Sequence, residues 1–219
     1  PVINSPLRFP DRRITINLAP ADLPKEGVRF DLPIALGILS ASGQLPENRL
    51  PQHEFLGELA LDGSIRGVPG VVAAAAAAQR DGRTLALATD CAPRAAQVPN
   101  SEVIGAPDIL TLCAHLNSSV PIEPSCALRS AGDTQQALDL REIIGQHAAR
   151  RALEVAASGG HNLLLWGPPG TGKTLLASRL PGILPPTEPE EALQGLALRD
   201  TLCSGTGNEA LHQRPFRSP

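Results

Sequence analysis

The chain has 219 residues and a net charge of −3, and 42% of its residues are hydrophobic. A chain of this length can form one large domain or two small ones. Its basic residues form no stripe of the kind that would indicate a nucleic-acid surface. No apolar run approaches the about 18 residues of a membrane span. The four cysteines lack CxxC spacing, so we expect reduced thiols in a cytoplasmic protein. The chain opens on Pro1 and has no methionine, which suggests a fragment of a longer protein.

Residues 1–116 predict an α/β unit with mixed strand pairing. Apolar side chains alternate along 12–18, which is typical of a strand, and Asp62-Gly63 is a strong hairpin signal. Asp31 is expected to cap a helix that has Pro33 in its first turn and ends at Gly43. The remaining predictions are strands at 55–61, 64–68, 84–88 and 103–104, and helices at 71–79 and 107–116.

Residues 117–136 are rich in Ser, Thr and Pro without apolar periodicity, and we interpret them as an exposed linker. From 137 onward the pattern predicts a second unit. Its elements are helices at 147–157, 173–180 and 190–198, a buried parallel strand at 162–166, and a helix stop at Pro181-Gly182. The five histidines lie far apart in the sequence, and each is expected to be a surface or capping residue.

One motif in the second unit carries chemistry. Two glycines separated by four residues and followed by Lys and Thr are typical of phosphate-binding loops. The motif comprises Gly167, Pro168, Pro169, Gly170, Thr171, Gly172, Lys173 and Thr174. It lies between a predicted strand and a predicted helix, which is the context that such a loop requires. A plain Gly-Pro turn is the alternative, but it needs neither the lysine nor the hydroxyl.

The spacing of this motif fits ATP and Mg²⁺ as ligands. Glycines let successive backbone N–H groups point inward as a nest for anions. Lys173 would reach the β- and γ-phosphates, and the Thr174 hydroxyl would hold Mg²⁺. Residues 175–219 contain no apolar strand that ends in Asp-Glu, which would complete the magnesium site and orient water. We therefore expect this chain alone to bind nucleotide without turnover.

Residues 23–27 (Leu-Pro-Lys-Glu-Gly) and 57–63 (Gly-Glu-Leu-Ala-Leu-Asp-Gly), with Pro69-Gly70 and the helix behind them, resemble the proteolytic domain of Lon-type proteases. The serine and lysine of that family would fall at Arg29 and Val72. Neither residue can serve as a nucleophile or a base. The resemblance therefore implies a Lon-like fold that serves as a scaffold without peptidase chemistry.

The second unit resembles AAA+ ATPases, in which an Ile-Gly-Gln segment ahead of the first helix lines the adenine. Ile143 and Ile144 are therefore candidate contacts to the base. The alternative is that both are core isoleucines, and one residue can serve both purposes.

Over nearly its whole length the chain resembles the magnesium-chelatase-like AAA+ ATPases of the YifB/ComM family. Residues 14–27, the Gly-Gly-His-Asn-Leu-Leu-Leu run at 159–165 and Arg-Pro-Phe-Arg at 214–217 carry the resemblance. It implies a Lon-protease-like (ribosomal S5-type) α/β domain at 1–116, a linker at 117–136 and the start of an AAA+ α/β domain at 137–219.

The same resemblance implies a cytoplasmic motor that uses ATP and Mg²⁺ and assembles as a hexameric ring without membrane attachment. It also implies that this motor acts on DNA, in branch migration during transformation and recombination. Three alternatives remain. They are a metal-chelatase motor subunit that acts on a protein partner, an ATP-dependent protease, and a nucleotide-responsive assembly module that hydrolyses nothing. Arg29 and Val72 argue against the protease.

Overall fold

The structure is a computed structural model that describes residues 7–8, 10–11, 13–18, 27–127 and 138–202. Contacts divide it into two compact units. The first comprises the described residues up to 127 together with 193–202, and the second comprises 138–192. The second domain predicted at 137–219 stays a prediction, and within it the structure groups 193–202 with the first unit.

Two sheets form in the first unit. Three parallel strands lie in the order β1-β4-β5, and an antiparallel hairpin joins β2 to β3. The strands are β1 (His53–Phe55), β2 (Glu58–Leu59), β3 (Ile65–Arg66), β4 (Thr84–Ala88) and β5 (Val103–Ala106). The predicted α/β class is confirmed, and the predicted strand at 84–88 has the observed bounds.

The hairpin forms at Asp62-Gly63, where it was predicted. The Asp62 carboxylate accepts hydrogen bonds from the Ser64 backbone N–H at 3.0 Å and from the Ser64 hydroxyl at 2.7 Å. These hydrogen bonds lower the pKa of Asp62, because they stabilise its charged form. The paired strands are only two residues each, shorter than predicted.

Four helices flank the parallel sheet: α1 (Asp31–Ala41), α2 (Val71–Arg80), α3 (Ala92–Ala95) and α4 (Ile109–Leu116). A 3₁₀ turn, Val28–Phe30, precedes α1, so Asp31 is the first residue of the helix and not its cap. Asp108 caps α4 by accepting the Thr111 N–H at 2.7 Å. The short α3 was not predicted from the sequence.

Side-chain alternation divides the first unit's interior into two layers. Ala86, Ala88 and Ile104 pack in one cluster with apolar residues of α1 and α4. The intervening residues, such as Leu85 and Leu87, belong to the other face of the sheet by the period of a strand. On that side α2 contacts β4 and α3 contacts β5. Helices on both faces of a parallel sheet are the usual way to bury it.

The strand predicted at 12–18 is wrong for its described part. Residues 13–18 have no strand pairing, and no strand among the described residues lies beside them. Residues 14–18 instead line a groove of about 330 Å³ against Phe30 and α1. A helix surface offers no ladder of backbone hydrogen bonds, so the segment is extended without being a strand.

Part of the predicted linker belongs to the first unit. The Ser125 N–H donates to the Val103 carbonyl at 2.7 Å, and Pro124 forms an isolated antiparallel bridge with Ile104. Ile122 is half-buried against the core of α1 and α4. Residues 124 and 125 therefore lie against β5, while 128–136 lie outside the described residues.

The described regular elements of the second unit are all helices. Its helices are α5 (His147–Gly159), α6 (Lys173–Ala177), α7 (Leu180–Ile183) and the first residues of α8 (Pro189–Leu202). Leu140, Ile143, Leu153 and Leu176 form its buried core. Among the described residues of the chain, no helix has both the length and the apolar character needed to cross a membrane.

Two predictions for the second unit are wrong. Residues 162–166 form no strand, and Leu164 and Trp166 are 88% and 94% exposed, because no described strand of this unit lies beside them. The helix predicted at 173–180 ends at Ala177. Pro181 and Gly182, predicted to end that helix, lie inside α7 instead. Proline is tolerated there because it occupies the first turn of a new helix.

The far end of α8 contributes a buried charge to the first unit. Asp200 accepts the Val72 N–H at 3.1 Å and pairs with Arg94 at 2.8 Å, and its side chain is 1% exposed. The Val72 N–H is in the first turn of α2, where no helical acceptor is available. Asp200 therefore satisfies a backbone donor and a partly buried guanidinium at once.

Asp200→Ala should lower the free energy of unfolding by about 3 kcal/mol, because Arg94 and the Val72 N–H would lose their buried acceptor. Urea denaturation followed by circular dichroism measures the change. Glu154→Ala is the matched control, since its 3.0 Å pair with Arg151 is solvent-exposed and should contribute less than about 1 kcal/mol. Equal losses in the two variants would contradict a structural role for Asp200.

Candidate functional site

The predicted phosphate loop follows residues 161–166, which form neither helix nor strand, and leads into α6. Gly170 and Gly172 have φ of 80° and 81°, in the left-handed region. Side chains with a Cβ adopt this region at a cost, so the glycines are required by the path of the backbone. The chain then enters α6 at Lys173.

The Lys173 ammonium folds back over the loop. Its Nζ donates to the Gly167 carbonyl at 2.9 Å and to the Pro168 carbonyl at 2.6 Å, and lies 3.4 Å from the Thr171 hydroxyl. Two neutral carbonyls hold this positive charge, and no carboxylate pairs with it among the described residues. An anion that enters the loop would meet a cation without a counter-charge.

Two threonines have different surroundings. The Thr171 hydroxyl donates to the Pro168 carbonyl at 3.0 Å and so closes the loop on itself. Thr174, one residue into α6, is exposed. No group of three or more His, Cys, Asp or Glu that could hold a metal occurs in the part of the chain that the structure describes. The role of Thr174 as a magnesium ligand stays a prediction.

The structure separates the two candidate adenine contacts. Ile143 is 4% exposed and packs with Leu140, Leu153 and Leu176, whereas Ile144 is 96% exposed. Ile143 thus fits the alternative of a core isoleucine. Ile144 has its whole side chain open on the segment that leads into α5.

Polar contacts that the sequence did not predict join the parts of this unit. The Gln146 side chain donates to the Thr171 carbonyl at 3.3 Å, which links the start of α5 to the loop. Arg179, whose side chain is largely buried, pairs with Glu142 at 2.8 Å. The Ile-Gly-Gln segment pointed to Gln146 without giving it a role, whereas nothing in the sequence signalled Arg179, because its partner lies 37 residues away.

The positions that correspond to a Lon-type dyad hold no catalytic pair. Arg29 is exposed on the 3₁₀ turn before α1. Val72 is fully buried in α2, and its backbone N–H bonds to Asp200. Neither side chain can attack a carbonyl or accept a proton.

Comparison with known proteins assigns this chain to a family. Residues 1–90 match the family described as subunit ChlI of Mg-chelatase, and residues 139–219 match the family described as magnesium chelatase, subunit ChlI. The chain belongs to the magnesium-chelatase-like proteins of the YifB/ComM type. This membership supports an AAA+ protein, and the family match at 139–219 contains the whole of the predicted phosphate loop.

Several relatives match along the entire chain. It is 50% identical over 218 residues to the uncharacterized protein YifB of Salmonella typhimurium, and the match covers 100% of the chain and 43% of that relative. It is 45% identical to YifB of Escherichia coli over the same shares. It is 46% identical to the competence protein ComM of Haemophilus influenzae, with 100% of the chain and 44% of that relative covered. The chain thus spans less than half the length of these relatives.

Gly172→Ala should strain the loop where it enters α6, because φ of 81° is unfavourable for alanine by about 1–2 kcal/mol. The Leu176 N–H bonds to the Gly172 carbonyl at 2.9 Å, so hydrogen exchange at Leu176 reports local opening. We expect its protection to fall about tenfold.

Gly195→Ala is the matched control for that variant. Gly195 lies inside α8 and a Cβ there would meet nothing within 4 Å. Alanine should leave Leu176 protection unchanged and favour the helix locally. Unaltered protection of Leu176 in Gly172→Ala would show that the loop does not need its left-handed glycine.

Proposed function

We propose that residues 167–174 bind ATP together with Mg²⁺ and that the intact protein is an AAA+ ATPase. The Lys173 ammonium carries the proposal, because it lies over a glycine loop and all its partners among the described residues are neutral. The family match at 139–219, in an AAA+ family that suggests nucleotide and Mg²⁺ use, supports it.

Each part of the loop has a distinct task in this proposal. The backbone N–H groups around Gly170 and Gly172 would donate to phosphate oxygens, and the left-handed glycines let them converge. Lys173 would leave the Gly167 and Pro168 carbonyls and neutralise the β- and γ-phosphates. Thr174 would hold the Mg²⁺, which would offset the negative charge of the phosphates.

We propose that the base contacts Ile144. Its exposed side chain offers apolar surface at the start of α5, and the Gln146 hydrogen bond ties this segment to the loop. Ile143 would act from the core by fixing the position of its neighbour. A direct contact between Ile143 and the base would require the core to open. We therefore assign to Ile143 the role of positioning Ile144.

For the whole protein we propose a homo-oligomeric ring, a hexamer, that uses ATP to move along DNA in branch migration. The first unit would be a Lon-like scaffold and residues 137–219 the start of an AAA+ domain. The similarity to a protein named for competence supports this role. The Asp-Glu strand, the arginine finger and the loops that touch DNA would belong to other parts of the intact protein.

A metal-chelatase motor subunit is the second candidate. The descriptions of both matching families favour it, since they name a magnesium-chelatase subunit. The two candidates share the ATP site and differ in what the motor acts on. Stimulation of the ATPase of the intact protein by branched DNA, compared with a metal-inserting partner protein, distinguishes them.

Lys173→Ala should weaken Mg-ATP binding to this chain by about 10- to 100-fold, the value of a hydrogen bond to a charged group. The single tryptophan, Trp166, is 94% exposed and directly precedes Gly167, so its fluorescence reports on the loop. Thermal melting should change little, since the lost contacts are to surface carbonyls.

Arg151→Ala is the matched control for charge. It removes an exposed cation of α5 and should leave nucleotide affinity unchanged. In the intact protein Lys173→Ala should abolish ATP turnover. Equal affinity of wild type and Lys173→Ala for Mg-ATP would remove this loop from the site.

A further inference from the structure

A polar cavity of about 410 Å³ lies in the first unit, away from the phosphate loop. His53 begins β1, Thr84 begins β4, and Glu102 directly precedes β5. Because these strands are parallel, their amino ends meet at one edge of the sheet, and all three residues line the cavity there. Its volume is within the range of pockets for small ligands.

Two histidines meet at this cavity although 62 positions separate them in the sequence, where each was predicted to be a surface or capping residue. The ring centroids of His53 and His115 lie 5.9 Å apart at 83°. His115 Nδ1 accepts the Ile122 N–H at 2.9 Å, so its neutral ring carries the proton on Nε2. His53 Nδ1 donates to the Arg49 carbonyl at 2.9 Å. Neither Nε2 has a hydrogen-bond partner among the described residues.

Arg49 adds a cation to the same cavity. Its Nε is buried without a hydrogen-bond partner, and its guanidinium forms no ion pair within the described part of the chain. Glu102 is the carboxylate in the lining, and it is exposed. A buried donor without an acceptor is destabilising, and an anion in the cavity would offer acceptor oxygens to this guanidinium.

We propose that this cavity binds a phosphate group, as a phosphate monoester or phosphodiester, through the Arg49 guanidinium and the Nε2 atoms of His53 and His115. A guanidinium fork and two imidazoles at nearly a right angle suit a tetrahedral anion with several acceptor oxygens. The volume leaves room for the group that carries the phosphate. This site is separate from the ATP site and does not depend on it.

Anion binding at this site is linked to proton uptake. Burial, then His53 and then Arg49 lower the pKa of His115, and Glu102 opposes them. An anion among these groups stabilises the imidazolium and raises that pKa. Binding therefore strengthens as the pH falls toward the pKa of His115.

Sulfate is the probe of choice, because phosphate changes its own charge in the same pH range. The ring protons of His53 and His115 are assigned in NMR spectra of the 219-residue chain by His→Gln variants and followed from pH 5 to 8. Saturating sulfate should raise the pKa of His115 by about one pH unit or more. An unchanged pKa of His115 in the wild-type chain overturns the proposal.

Three variants make the test specific. Arg49→Gln should abolish the effect of sulfate on His115. Arg83→Gln should retain it, because Arg83 pairs with Glu54 at 3.3 Å and does not line the cavity. Lys173→Ala should also retain it, which separates this site from the phosphate loop. A full response in Arg49→Gln, or its loss in Arg83→Gln, would indicate general screening of charge and reject the site.

The Ile122 amide signal, which reports the hydrogen bond to His115, verifies that each variant is folded. If Arg49→Gln does not fold, Arg49→Lys replaces it and should bind sulfate at least threefold more weakly than wild type, since lysine keeps the charge and loses the fork. Unchanged affinity in that variant rejects the role of Arg49. Competition by ribose 5-phosphate identifies a monoester site, and competition by a thymidine oligonucleotide without terminal phosphates identifies a phosphodiester site.

Discussion

Burial of β4 from both faces is the constraint on which the first unit depends. Residues 85–88 are at most 1% exposed, and β1 and β5 pair with the strand on either side. A strand enclosed in this way needs helices above and below, and the small side chains of Ala86 and Ala88 let α1 and α4 approach closely. The parallel register also aligns the amino ends of the strands, so His53 and Thr84 reach the same cavity as a direct result of how β4 is paired.

In the second unit, the cation of the phosphate loop has neutral hydrogen-bond partners. The Lys173 ammonium rests on the carbonyls of Gly167 and Pro168, and such contacts are weaker than contacts to an anion. The Gln146 side chain donates to the Thr171 carbonyl and ties the start of α5 to the loop, and the Arg179–Glu142 pair joins the segments on either side of it. These contacts support the loop, and the Lys173 ammonium has no carboxylate partner among the described residues.

Local signals were sufficient for some elements and not for others. The Asp62-Gly63 hairpin, the alanine-rich α2 and the glycines of the phosphate loop were predictable because their causes lie within a few neighbouring residues. The strands expected at 12–18 and 162–166 failed, since a strand needs a partner that its own residues cannot specify. Asp200 with Arg94, and His53 with His115, come together only through the tertiary fold. Because the partners of each pair lie far apart in the sequence, no local pattern predicts their contact.

The contact of Asp200 with Val72 and Arg94 also has a consequence for the order of synthesis. In the sequence, the second unit is inserted between residue 127 and the part of α8 that completes the first unit. A ribosome that adds about 5–20 residues per second needs roughly 4–15 s to pass from residue 127 to residue 200. During that interval the first turn of α2 and the Arg94 guanidinium must rely on water. The first unit therefore gains this contact only after residues 138–192 have been made.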